Sequence, residues 1–168
     1  MRMLLFRQII YITVSLLLGF YSYQHVTFEQ LHTIFHALET ISIGVFTLSG
    51  IWIAVIYPEA IAAFTNPEKL TILKGSEQAK RIENLVLIVF TSAFVLISTL
   101  IFYTASELLK NLPFVIENHK IILLFSIAFS VYLAILQIVA ILSIMISNIK
   151  FVNDLYKKNA EQEANKRL

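Results

Sequence analysis

The stretch IILLFSIAFSVYLAILQIVAILSIMISNI, residues 121–149, runs for 29 residues without a charged side chain. Coiled as an α-helix it measures about 43 Å, more than the roughly 30 Å hydrocarbon core of a bilayer. A segment this long and this apolar reads as a transmembrane helix that tilts or extends past the membrane surface. Three other charge-free stretches share its character, at residues 9–23, 40–58 and 84–106. The chain of 168 residues is 58% hydrophobic and 14% charged, with a mean hydropathy of +0.77. A soluble domain has no interior large enough to hide that much apolar surface.

Only helices and closed barrels satisfy their backbone groups in lipid, and these apolar runs are continuous and too long for barrel strands. The expected fold is all-α: an integral membrane four-helix bundle forming one transmembrane domain over residues 1–168. The spans fall near residues 8–25, 28–57, 84–106 and 120–150. A helical loop at 58–83 joins the second to the third, and a helical tail follows at 151–168. The N-terminus has the basic start and apolar middle of a signal peptide. Tyr21, Ser22, Tyr23 and Gln24 offer no small-x-small cleavage site, so the segment is expected to stay as the first span. The chain has no cysteine, which removes disulfides, thiolate metal sites and cysteine nucleophiles.

Charge sets the expected orientation. Eleven Lys and Arg residues fall on the side of the termini and the 58–83 loop, and only Lys110 and Lys120 on the other. The positive-inside rule then puts both termini in the cytoplasm of a multi-pass protein of the cell inner membrane. All four histidines, His25, His32, His36 and His119, lie on the opposite, outer side with Glu29, Glu39, Glu107 and Glu117.

The second span opens on TFEQLHTIFHALET, residues 27–40. Thr27 followed three residues later by Gln30 matches a capping box, with Val26 and Leu31 as a hydrophobic staple, so the helix should begin near Phe28. In the loop, Asn66 and Pro67 read as the cap and first residue of a short helix that ends before Gly75, and Ser76 can cap the next. Leu70, Ile72 and Leu73 beside Lys69 and Lys74 suit a turn packed under the bundle; the alternative makes Lys69, Lys74, Lys80 and Arg81, together with the tail, the contact for a cytosolic protein. Asp154 with Lys158, and Glu163 with Arg167, are helix-compatible pairs in that tail.

At about 100° per residue, Glu29, His32, His36 and Glu39 fall on one face of the second span. Two His at i and i+4 with neighbouring carboxylates can converge on a transition metal or a haem iron, which makes these four a candidate metal set at the outer face. HTIFH has the spacing of a zincin helix but carries Thr33 where the catalytic Glu belongs, which excludes that protease motif. The same residues support a pH-sensing reading, since imidazole titrates near pH 6.5. They also suit a plain headgroup-facing helix end.

The face continues through Thr40, Gly44, Thr47 and Gly50, interrupted by Ile43 and Ile51, while Ser42 and Ser49 point the other way. In the fourth span Ser126, Ser130 and Ala134 follow small-xxx-small spacing, with Gln137 on the same side. Small and hydroxyl residues suit helix packing inside the bundle, a subunit interface or a pore lining. Gln137, the strongest polar group in mid-span, should face protein or water rather than lipid. No Asp, Glu, Lys or Arg lies in the membrane centre, which disfavours a proton-coupled transporter. There is no phosphate-binding glycine loop and no evident catalytic triad, so no enzyme is expected. The basic residues are explained by topology, so nucleic acid is not an expected partner.

In size and topology the chain resembles the small four-helix membrane subunits of bacterial antiphage systems, such as the membrane partner in Kiwa-type pairs. The resemblance covers the whole chain as architecture and transfers no site residues. Four helices in 168 residues leave little room for autonomous function, so the expected role is a homo-oligomeric scaffold or channel-like component that works with a cytosolic partner and uses no cofactor, and the resemblance adds antiviral defence as its setting. The alternative is a redox or ion-handling membrane protein built on the outer His/Glu set.

Overall fold

The computed structural model describes residues 2–56 and 77–166. These residues are helical almost throughout and contain no strand. Helix α1 spans Arg2–Ser22, α2 Phe28–Ile56, α3 Glu77–Leu109, α4 Pro113–Glu117 and α5 His119–Lys166. All but α4 are long and apolar enough to cross a membrane.

The start of α2 forms as its sequence dictates. The backbone N–H of Thr27 donates to Gln30 Oε1 at 3.0 Å, and the N–H of Gln30 donates to Thr27 Oγ1 at 3.3 Å. This reciprocal box satisfies two donors that a helix start otherwise leaves open. Val26 and Leu31 then pack into the same apolar cluster.

Three of the helices differ in extent from the predicted spans. The first begins at Arg2 and stops at Ser22, earlier at both ends than residues 8–25. Helix α3 starts before residue 84 and continues past 106. The fourth span and the tail form one uninterrupted helix of 48 residues, about 72 Å long. The change from apolar to charged residues near Lys150 marks a change of solvent, and the backbone continues through it. The short α4 was not expected; Pro113 in its first turn is the signal for it. The predicted helix over 66–75, its cap Ser76, and the positions Lys69, Lys74 and Arg167 lie outside the described residues.

The core sits where α2, α3 and α5 pack on one another. On α2 the buried positions include Leu31, Phe35, Leu38, Ser42, Val45 and Ser49, and on α3 Leu85, Ile88, Ser92, Val95, Ser98 and Thr99. On α5, Leu123, Ile127, Ser130, Leu133, Gln137, Ala140 and Ile144 continue the pattern. Steps of three and four residues repeat through all three, the spacing of knobs-into-holes packing between gently crossing helices. Phe35 and Phe102 stack with ring centroids 3.7 Å apart, tying α2 to α3. Trp52 meets Phe151 edge-on at 5.9 Å, tying α2 to α5 at the other end.

Helix α1 stands apart from this trio and packs mainly on α5. Only 11% of its apolar span is buried, against 33% of the α3 span. Its contact face carries Ser15 and Gly19, both buried. The side-chain amide oxygen of Gln8 accepts a hydrogen bond from the Tyr132 hydroxyl at 3.0 Å. Because α1 and α3 both lean on α5 and touch each other little, a groove is left between them.

Candidate functional site

The two ends of the bundle differ in chemistry. The end where α1 finishes and α2 begins carries the histidines, and the end where α1 begins carries Arg7, Lys80, Arg81 and Lys150.

At the histidine end the predicted metal set is divided. His32 turns toward α3, where its Nε2 lies 3.4 Å from Ser106 Oγ and its ring lies 5.3 Å from that of Tyr103. The Tyr103 hydroxyl also donates to the His32 carbonyl oxygen at 3.3 Å. His36 stays exposed, with Nδ1 3.5 Å from Glu39 Oε2. Glu29 is exposed two turns before His36. Residues 32 and 36 are only about 40° apart on the helix, yet that angle straddles the edge of the α2–α3 contact. Among the described residues no three His, Asp or Glu side chains converge in a way that could hold a metal ion. Glu107 on α3 pairs instead with Lys110, just past the end of that helix.

Below this end, the small-residue face of α2 points outward. Thr40, Gly44, Thr47 and Gly50 are all exposed. A β-carbon built on Gly44 or Gly50 meets nothing within 4 Å. Thr40 Oγ1 donates to the His36 carbonyl at 3.0 Å, so its hydroxyl is satisfied within the helix. Packing of this strip inside the bundle, one of the expectations, therefore does not occur in the protomer. Ser42 and Ser49, on the opposite side, occupy the core.

The α5 residues lie on the inside. Ser130 is buried and donates to the Ile127 carbonyl at 2.8 Å, while Ser126 is half-buried. Gln137 is 2% exposed, facing protein as expected, and Ser42 Oγ donates to its Oε1 at 3.1 Å. Thr47 and Gln137 thus lie on different surfaces, and no single lining within one protomer contains both. Ser42 is the partner that sequence reasoning missed, and the three-four spacing of Leu31, Phe35, Leu38 and Ser42 was the signal that could have found it.

The Gln137 Nε2 and the hydroxyls of Ser49 and Ser92 are buried with no hydrogen-bond partner. A serine hydroxyl in a helix can rotate onto the carbonyl one turn back. The amide has no such recourse and is the most demanding polar atom in the core.

At the basic end, Arg81 of α3 pairs with Asp154 of α5. Arg81 therefore faces its own bundle, and Asp154 reaches across to another helix. Lys80 beside it is exposed.

No protein-family model, curated protein or solved structure matches this chain.

Proposed function

We propose that this chain is a non-enzymatic membrane component that assembles with copies of itself through the outward face of α2, as a scaffold or channel-like subunit. The observation that carries this reading is the strip of Thr40, Gly44, Thr47 and Gly50 on the outside of the protomer, open at both glycines. Lipid tails are as apolar as leucine, so helices associate in a bilayer through close packing, which small residues permit. Helix α2 is satisfied on its inner face by α3 and α5, which leaves the small face for a second copy.

The distribution of Lys and Arg supports an orientation with both termini in the cytoplasm and a place in the cell inner membrane. Residues 58–83 and 151–168 are then available to a cytosolic protein. The architectural resemblance to Kiwa-type membrane subunits makes antiphage defence the biological setting of the proposal.

The absence of native cysteine makes the interface directly testable. Thr47→Cys in membranes should form disulfide-linked dimers on mild oxidation, whereas Leu17→Cys on the outer side of α1 should not. Equal cross-linking at both positions, or a strictly monomeric purified protein, would sink the reading. Ion flux in liposomes separates the channel from the scaffold: flux that Thr47→Leu alters belongs to a channel lined at this interface.

A further inference from the structure

We propose that the groove between α1, α3 and α5 at the basic end is a binding site for an anionic phospholipid. The groove has a volume of about 640 Å³, within the ~300–1,000 Å³ typical of ligand sites. Three helices distant in sequence bring cations to its mouth: Arg7 from α1, Lys80 from α3 and Lys150 from α5. Among the described residues none of these three makes an ion pair. Among the described residues the one carboxylate on the groove, Asp154, is engaged by Arg81. The described residues of the mouth therefore carry an excess of positive charge.

Away from the mouth Leu87, Leu136 and Val139 alternate with Thr91 and Ser143, whose hydroxyls donate to the Leu87 and Val139 carbonyls of their own helices. From Lys80 to Thr91, both on the groove, the helix rises about 16 Å, roughly half of a ~30 Å hydrocarbon core. A cavity that is cationic at the headgroup level, and lined over the depth of one leaflet by aliphatic side chains and by hydroxyls already satisfied within their own helices, suits a phosphate group followed by its acyl chains. Tyr11, whose ring lies 6.0 Å under the Arg7 guanidinium, sits at the changeover, where aromatic hydroxyls meet the membrane interface. The positive-inside tendency explains basic residues at this end but not their convergence from three helices on one cleft. Basic pockets between membrane helices are a recognised setting for anionic headgroups.

The test is native mass spectrometry of the full chain in detergent, titrated with phosphatidylglycerol or with zwitterionic phosphatidylcholine. The wild type should retain phosphatidylglycerol in preference. Arg7→Gln, Lys80→Gln and Lys150→Gln should each weaken that retention about fivefold, from the usual worth of one cation near an anionic lipid. The triple variant should abolish the preference, while Lys120→Gln at the opposite end should leave it unchanged. Because Arg7, Lys80 and Lys150 are exposed, the substitutions remove charge without opening the core. Equal retention of the two lipids, or a triple variant that still prefers phosphatidylglycerol, overturns the proposal. Inorganic phosphate is the second arm. If millimolar phosphate displaces the lipid completely, the site takes free phosphate and the acyl floor has no role, which also overturns it.

Discussion

Ser42 of α2 donates its hydroxyl to the side-chain amide oxygen of Gln137 on α5, at 3.1 Å, in a part of the core from which water is excluded. Hydrogen bonds between membrane helices average about 0.6 kcal/mol in double-mutant cycles and reach about 1.7. Ser42→Ala should cost an amount in that range, since it strips the amide of its partner. Gln137→Leu in the same background should restore most of the loss, because it also removes the unpaired Nε2. Thermal unfolding in detergent of the two single variants and the double would show this non-additivity; strictly additive losses would contradict it.

Gly19 gives a second expectation. A β-carbon there would lie 2.9 Å from Ala128 Cβ and 3.1 Å from the Ala128 backbone nitrogen. Neither atom belongs to a flexible side chain that can move aside. Gly19→Ala should therefore destabilise the α1–α5 contact by about 1–3 kcal/mol, the usual range for overpacking. Adding Ala128→Gly should recover part of the loss. A Gly19→Ala protein as stable as wild type would show that the helices separate at no cost.

Gly44 should behave in the opposite way. With open space around it, Gly44→Ala gains helix propensity of up to about 1 kcal/mol and should not harm the protomer. Gly44→Leu should keep the helical content and still reduce the oligomer seen by analytical ultracentrifugation. Unchanged assembly in Gly44→Leu would remove α2 from the proposed interface.

At the histidine end, Thr27→Ala should cost about 1 kcal/mol through loss of the cap. The effect is local. Hydrogen exchange should rise most at the Gln30 amide, which donates to Thr27 Oγ1, and less at Leu31, which donates to the Thr27 carbonyl. Equal acceleration along the whole of α2 would mean that the cap holds more than the first turn.

Much of this was legible in the sequence, for identifiable reasons. The spans follow from length and apolarity, and the start of α2 from Thr27 and Gln30, because capping is a local matter of four residues. The burial of Gln137 follows from the cost of an amide in lipid. The inward face of α2 was harder to read. In water an exposed face is polar, but here Ile43 and Ile51 are half-exposed while Ser42 and Ser49 are buried, so polarity does not distinguish inside from outside. Shape does: the large residues Leu31, Phe35 and Leu38 repeat at the packing interval, and the serines occupy the next places in that series. The fate of His32 could not be read from α2 alone, since its neighbours Tyr103 and Ser106 come from a helix some seventy residues away. The groove at the basic end is likewise a product of topology, assembled from residues that no local window contains.

The attachment of α1 to α5 also bears on how the protein is made. Helix α1 is made before α5, its main partner, and Ala128 is synthesised long after Gly19. At about 5–20 residues per second that interval is roughly 5–20 s. For that time α1 lacks its main partner, while α2 and α3 can already pair. Synthesis of α5 is thus the event that gathers α1 into the bundle, and a product truncated before α5 would carry α1 with its docking face bare.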